Sequence, residues 1–533
     1  MPHKTTQSDM VYRSCCCEDA GDPEQSHTLD KGSVWQRRRG VFCLSVVAAC
    51  LNGIAVGNLA GWAQAAIPQL LAGAPGRPAL SPSETNWVAC IFFLGMLGGG
   101  FTSFGIGSLF GKRKLFLFAS VPLVLGWSVI AVAVNFWELV FGRIILGVGG
   151  GMICHQTEMY LSEISPSRLR STMSVVFCVC VHTGVLLSFA VGPLLSISTA
   201  TAIYLSFVLL LAASYLLVAP ETPFWLARQG RLDEAYVSLK KLRGGADVHD
   251  EFEGIVEFVE KSLVSSKADG LWRNFARVIS GAANRRAIML VVLLTTVQQF
   301  SGMAALHSYA QLIFERSVSS SLVPGRYVSL MLGLLELVCT LGSGLVMERI
   351  NRRVLVAGSS SVCAGCMALL GLYFRAEKMG DGDGLNGVLP LVCLLVFAVA
   401  YGLGLATLAT VVAAECLSID ARSLGAAAQN TTVCFSIFTV TRLWQVISDG
   451  WGLEYSFWMA ALITGAHTLV LLLILPETRG RSLVEIQVLL RNSSKKPSDA
   501  PTTELGSITI APAHAARTAE NLQLESEDGR LVS

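Results

Sequence analysis

Two adjacent glutamines, Gln298 and Gln299, stand out because few strong hydrogen-bonding side chains interrupt the apolar runs of this chain. Tyr309 follows Gln298 by eleven residues, so on an uninterrupted α-helix the two lie within about 20° of one face. Ser301, Gly302, Ala305 and Ser308 share that stripe. Amides, hydroxyls and an aromatic ring on one wall are the groups that hold a polyhydroxylated ligand. Small and polar residues in such a stripe also pack helices together in lipid, and the spacing admits both readings. Two acids, Glu336 and Glu158, fall inside apolar runs, with His155 almost one turn from Glu158. A carboxyl at membrane depth is costly and is a functional candidate by default. Other chemistries find no support. There is no nucleophile–base arrangement and no Walker-type phosphate loop. His182 and His307 lack the Cys/His/Asp spacing of a metal site. No cofactor and no metal are expected.

The elements that must position these residues follow from composition. Of 533 residues, 52% are apolar and only 15% are charged, and the mean hydropathy is +0.56. Soluble domains carry about 25% charged residues, and a disordered chain would be less apolar. The composition therefore points to an all-α polytopic membrane protein. Its net charge of +2 gives no reason to expect nucleic-acid binding. Many of the 15 cysteines lie inside apolar runs, where they read as small buried hydrophobes. Runs of about 20 apolar residues are long enough to cross a bilayer as helices and too long for barrel strands. Twelve are predicted: 41–66, 87–110, 115–134, 138–161, 172–195 and 200–219, then 287–313, 327–347, 354–374, 388–414, 423–447 and 453–475.

Basic residues orient these spans. Arg37–Arg39 precede the first, Lys112–Lys114 join the second and third, Arg168 and Arg170 join the fourth and fifth, and Arg349, Arg352 and Arg353 join the eighth and ninth. Both termini are thereby expected in the cytosol. The organisation reads as a tail (1–40), six helices (41–219), a helical cytosolic insert (220–286), six more helices (287–475) and a second tail (476–533), disordered after about residue 492. Within the insert, 232–243 and 250–263 carry the period of amphipathic helices. The sequon Asn430-Thr431-Thr432 falls within a span and should not be glycosylated. S-palmitoylation of Cys15–Cys17 is an option, although they are not immediately juxtamembrane.

Motifs at the ends of the two six-helix groups make the reading specific. Pro220-Glu221-Thr222-Pro223-Phe224-Trp225-Leu226 follows span six, and Pro476-Glu477-Thr478-Arg479-Gly480-Arg481-Ser482-Leu483 follows span twelve. With Gly142-Arg143, Tyr160-Leu161-Ser162-Glu163, Leu242-Arg243-Gly244 and Gln298-Gln299-Phe300-Ser301-Gly302, these resemble the sugar porter branch of the major facilitator superfamily. Gly57…Gly61-Trp62 and Phe438…Thr441-Arg442 are most similar to its facilitated trehalose transporter-type members. The resemblance covers residues 40–490. It implies two six-helix halves that move a small neutral sugar down its gradient by alternating access, in the plasma membrane, with no obligate protein partner beyond the lipid bilayer.

The resemblance also implies site residues. Gln298, Gln299 and Tyr309 would line the path, joined by Glu336, Thr410 and Asn430. Thr410 stands where the family has an aromatic residue, Glu336 where it has Asn or Gln, and Asn430 lies one turn before the position of the family's asparagine, Val433. The family's span-five glutamine falls on Cys178 and its QQxSG asparagine on Ala304. In the loop between spans two and three, the family aspartate falls on Ser108. Arg143, Glu163 and Arg170, with Glu348, Arg352, Arg353, Glu415 and Arg422, are read at cytosolic helix ends, where family members pair charges across the halves to close the inner side. Membrane anchoring alone also accounts for basic residues there. Two alternatives to passive carriage stay open: proton symport through Glu336, although the family's span-one acid is missing (no Asp or Glu occurs from 40 to 83), and a non-transporting sugar sensor.

Overall fold

The computed structural model describes residues 31–73, 79–166, 169–217, 219–245, 247–268, 280–306, 325–379, 388–417, 421–478 and 483–492. Both tails, with Cys15–Cys17, lie outside these residues. The first six long helices are α1 (Lys31–Ala72), α2 (Pro82–Phe110), α3 (Lys112–Val132), α4 (Phe136–Ile164), α5 (Arg170–Val191) and α6 (Ile197–Leu217). Three shorter ones follow: α7 (Pro223–Arg228), α8 (Leu232–Leu242) and α9 (His249–Ala268). Then come α10 (Ala282–Phe300), α11 (Gly325–Arg349), α12 (Arg352–Met379), α13 (Leu389–Ala400), α14 (Ala406–Cys416), α15 (Arg422–Gly450), α16 (Leu453–Ile474) and α17 (Leu483–Asn492). No strand occurs among the described residues.

Sequence chemistry starts these helices where it should. Ser81 caps α2, with Pro82 at its first position and Glu84 returning a bond to the Ser81 backbone N–H at 2.8 Å, a complete capping box. Asn135 and Glu138 form the same box at α4. The long helices are apolar round their whole circumference, as lipid requires. Where two of them touch, glycine allows it. A Cβ on Gly57 of α1 would overlap the Val181 carbonyl oxygen of α5, and one on Gly151 of α4 would overlap the Met96 carbonyl of α2.

Three departures from expectation have local causes. Among the described residues eleven helical segments are long and apolar enough to cross a membrane, not twelve. The remaining long helix, α15, carries Gln429, Asn430, Arg442, Gln445 and Asp449, and these lower its apolar content; it packs against α2, α10 and α16 in the position of the eleventh span. Span seven is broken: α10 ends at Phe300, Gly302 takes φ +101° and helix resumes only at Met303. Span ten is also irregular, since a π-helical turn at Tyr401–Leu405 separates α13 from α14.

The insert has its own core, in which Leu226, Leu239, Val248, Ile255 and Val259 meet. It is bolted to the bundle by Arg243, which donates to the Ile164 carbonyl at the end of α4 (2.8 Å) and to both carboxyl oxygens of Glu251 on α9. Replacing Gly57 by Val should abolish folded protein because backbone would have to separate from backbone. Gly98→Ala, which meets nothing within 4 Å, should leave it intact. Monodispersity on size-exclusion chromatography in detergent measures both.

Candidate functional site

The π-turn is the origin of the site. Its extra residue per turn displaces Tyr401 and the following carbonyls from the regular ladder, a feature frequent at functional positions. Gln298 of α10 answers it. Its amide donates to the Ala406 carbonyl at 2.7 Å and lies near the Tyr401 side chain. Gly402 lets α11 approach, since a Cβ there would sit 2.6 Å from that of Cys339. On the same stretch of α11 lies Glu336, only 1% exposed, with its carboxyl close enough to Tyr401 to act on it electrostatically. Tyr401 stacks on Phe397, ring centroids 6.1 Å apart and planes 11° from parallel. Amide, phenol and carboxyl thus converge from three helices. This is an arrangement that can exchange hydrogen bonds with hydroxyl groups.

The expected path residues divide. Gln298 and Glu336 meet through Tyr401, a residue the sequence reading missed. The only local hint was the Tyr401-Gly402-Leu403-Gly404 run. Gln299 is buried, and Ser301 donates to the Gln298 carbonyl at 2.7 Å. Tyr309 lies outside the described residues, and the break at Gly302 removes the continuous helix on which its alignment with Gln298 was based. Thr410 and Asn430 belong to a second group. Gln429 donates to the Thr410 hydroxyl at 3.4 Å, Cys434 donates weakly to the Asn430 side chain at 3.9 Å, and a Cβ on Gly100 of α2 would lie 2.6 Å from the Asn430 amide nitrogen.

The expected gate charges occupy two levels. Glu221 accepts the backbone N–H groups of Lys112 (2.8 Å) and Arg113 (3.2 Å) at the start of α3, and Glu477 accepts those of Arg352 (3.1 Å) and Arg353 (3.4 Å) at the start of α12. Arg113 donates to the Tyr215 and Leu216 carbonyls ending α6, and Arg353 to the Leu475 carbonyl ending α16. Lys112 lies 3.9 Å from Glu163, and Arg352 lies 2.7 Å from Glu415, which also accepts from Thr478 at 2.5 Å. Burial pushes the Glu221 carboxyl above the usual range, against the pull of its three backbone donors.

In this arrangement the described gate charges pair inside the groups. The pairs formed by Glu163 and Glu415 join helices within one six-helix group, because each carboxylate ends the helix beside the capped start of α3 or α12. Arg353 caps a helix instead of pairing. Arg143 is not at the basic end at all. It lies in the second turn of α4, at the opposite end from Glu163, and is fully buried. There it donates to the carbonyls of Leu59 (3.0 Å) and Val88 (3.1 Å), with its guanidinium over the rings of Trp62 and Phe92. The side chains of Arg170, Glu348 and Arg422 lie outside the described residues.

Contacts across the groups gather at the end away from Lys112 and Arg352. Asn86 of α2 donates to the Thr441 carbonyl and accepts from Arg442, both at 3.0 Å, and Arg442 lies 4.6 Å over the Trp87 ring. Gln64 of α1 donates to Ser329 of α11.

Comparison with known proteins places this geometry among relatives. The family model described as "Sugar (and other) transporter" matches residues 38–490. The chain is 27% identical over 491 residues to facilitated trehalose transporter Tret1 of Bombyx mori, covering 90% of this chain and 93% of that protein. It is 26% identical to solute carrier family 2, facilitated glucose transporter member 6, of Mus musculus, covering 86% and 94%. Among solved structures, the inward open conformation of the xylose transporter XylE from E. coli superposes with a TM-score of 0.66 at 18% identity, covering 84% of this chain and 99% of that one.

The mirrored caps are directly testable. Glu221→Ala and Glu477→Ala should each cost about 1 kcal/mol, as lost helix caps do. The sites share no partner, so the double variant should lose the sum. Thermal melting of the detergent-solubilised protein reads both effects.

Proposed function

The chain belongs to the sugar (and other) transporter family of membrane carriers, and from that premise we propose that it moves a small neutral sugar, trehalose or a hexose, down its gradient by alternating access. The observation that carries this reading is the convergence of Gln298, Tyr401 and Glu336 at the π-turn, a set of donors and acceptors suited to hydroxyl groups. The names of its relatives, a trehalose transporter and a glucose transporter, support the substrate class. Two bodies, 41–219 and 287–475, would rock about this site. Basic residues crowd the end carrying Lys112–Lys114, Arg352 and Arg353, which favours a cytosolic position for that end and for both termini. The plasma membrane is the proposed location.

Gating follows from where the seam is joined. Asn86, Arg442, Gln64 and Ser329 tie the groups together at the far end, whereas the ion pairs of Glu163 and Glu415 stay within their own groups. This is the pattern of a carrier closed on the far side. In the opposite state the basic end would close, with Glu163, Arg170, Glu348, Arg352, Glu415 and Arg422 meeting across the seam. A second reading, proton-coupled symport, is favoured by the burial of the Glu336 carboxyl, and a related solved structure is titled a proton:xylose symporter.

Radiolabelled uptake of trehalose, glucose, fructose and a polyol into proteoliposomes tests the proposal. Uptake of at least one sugar without a pH gradient is expected; uptake of none by correctly inserted protein overturns the carrier reading. Gln298→Ala should lower uptake roughly tenfold, the scale of one lost hydrogen-bonding group in a buried site, at unchanged surface expression. Uptake that follows a proton gradient and loses that dependence in Glu336→Gln would establish symport instead.

A further inference from the structure

One acid inside the helix bundle has no part in the arrangement above. Glu158 lies on α4, half-buried, five residues before Glu163 and therefore deeper in the bundle. Its carboxyl is close enough to the thiols of Cys154, one turn earlier on α4, and Cys178 on α5 to act on both electrostatically. Cys434 of α15 also acts electrostatically on Cys154, and its thiol donates to Asn430 at 3.9 Å. One turn before Cys154, Gly151 rests on the Gly100 backbone of α2, and Gly100 in turn meets Asn430. Glu158 therefore sits on the seam where α2, α4 and α5 of the first group face α15 of the second.

Its neighbours cannot satisfy it. Thiols are weak donors. Lys112 is engaged with Gln156 and Glu163, and Arg352 with Glu415. Arg143 is bound to carbonyls at the other end of α4. Among the described residues the Glu158 carboxyl has no hydrogen bond and no ion pair. Holding an unpartnered acid at membrane depth costs several kcal/mol relative to a neutral side chain, so a donor that arrives only with the cargo would explain its presence.

We propose that Glu158 is a solute-contacting residue that accepts hydrogen bonds from hydroxyl groups of the transported sugar and so sets specificity from the first group's side of the seam. This rests on the carrier reading above. With the sugar that wild-type protein takes up, Glu158→Ala should raise KM roughly tenfold. Glu158→Gln, which keeps an uncharged acceptor oxygen, should raise it by less. An independent readout is alkylation of Cys154 and Cys178 by N-ethylmaleimide, followed site by site by peptide mass spectrometry. Saturating sugar should slow it in wild-type protein and not in Glu158→Ala. Unchanged KM in both variants together with unchanged protection would overturn the inference while leaving the carrier reading standing; no uptake by wild-type protein would overturn the carrier reading itself. If Glu158→Ala fails to reach the membrane, Glu158→Gln decides alone: an unchanged KM and unchanged protection in it overturn the proposal, and a raised KM with weakened protection supports it.

Discussion

A carboxylate placed over the start of a helix organises each six-helix group. The first N–H groups of a helix have no partner within it, and in a membrane protein that deficit must be met by the chain itself. Glu221 and Glu477 meet it at α3 and α12. Each comes from a segment that follows the last helix of its group, so the cap also joins that group's third and sixth helices. Arg113 and Arg353 complete the joint from the other side by donating to the carbonyls that end α6 and α16. Opposite charges thus face opposite helix termini, as the helix dipole favours. Once α3 and α12 are held, their first residues Lys112 and Arg352 are aimed at Glu163 and Glu415.

These charges pair within their own group, so each group is braced internally, and the hydrogen bonds found across the seam lie elsewhere. At the far end it consists of neutral amides and hydroxyls with one guanidinium over a ring. Such bonds are each worth about 1 kcal/mol net, which suits contacts that must form and break in every cycle. The insert is joined to the first group: Arg243 reaches the end of α4, and Ser238 donates to the Glu221 carbonyl.

What could be read from the residues, and what could not, divides along the same line. The spans were legible because lipid demands long apolar runs, and α15 fell short of one for a visible reason, its row of polar side chains. The motifs that end each group were visible at residues 220–226 and 476–483, but their capping of α3 and α12 was not. Partners were not legible. Glu163 and Glu415 were expected to pair across the seam, yet a sequence shows that a charge ends a helix without showing which neighbour lies within 4 Å. Arg143 was misplaced because its motif was read without counting along α4 from its start. The alignment of Gln298 with Tyr309 rests on a regular helix, and the positive φ of Gly302 interrupts the helix after Gln298. The π-turn that displaces Tyr401 depends on the fit of α11 and α14 together, so no local pattern encodes it.

The two groups are not equal copies, and the difference bears on which moves first. Arg352 reaches Glu415 with a planar fork, Nη2 at 2.7 Å and Nε at 3.5 Å, and Thr478 adds a third donor. Lys112 offers a point charge that is shared with the Gln156 amide and stands 3.9 Å from Glu163. The second Glu163 oxygen is buried with no partner among the described residues. A bidentate guanidinium holds a carboxylate more strongly than a single ammonium does. Glu163 is therefore the carboxylate with capacity to spare. In the proposed closure of the basic end, a donor from the other group would bind it without first dissolving a strong pair, whereas Glu415 would have to give up three bonds. The first group's Glu163, on the same helix as Glu158, is in this sense the available half of the latch.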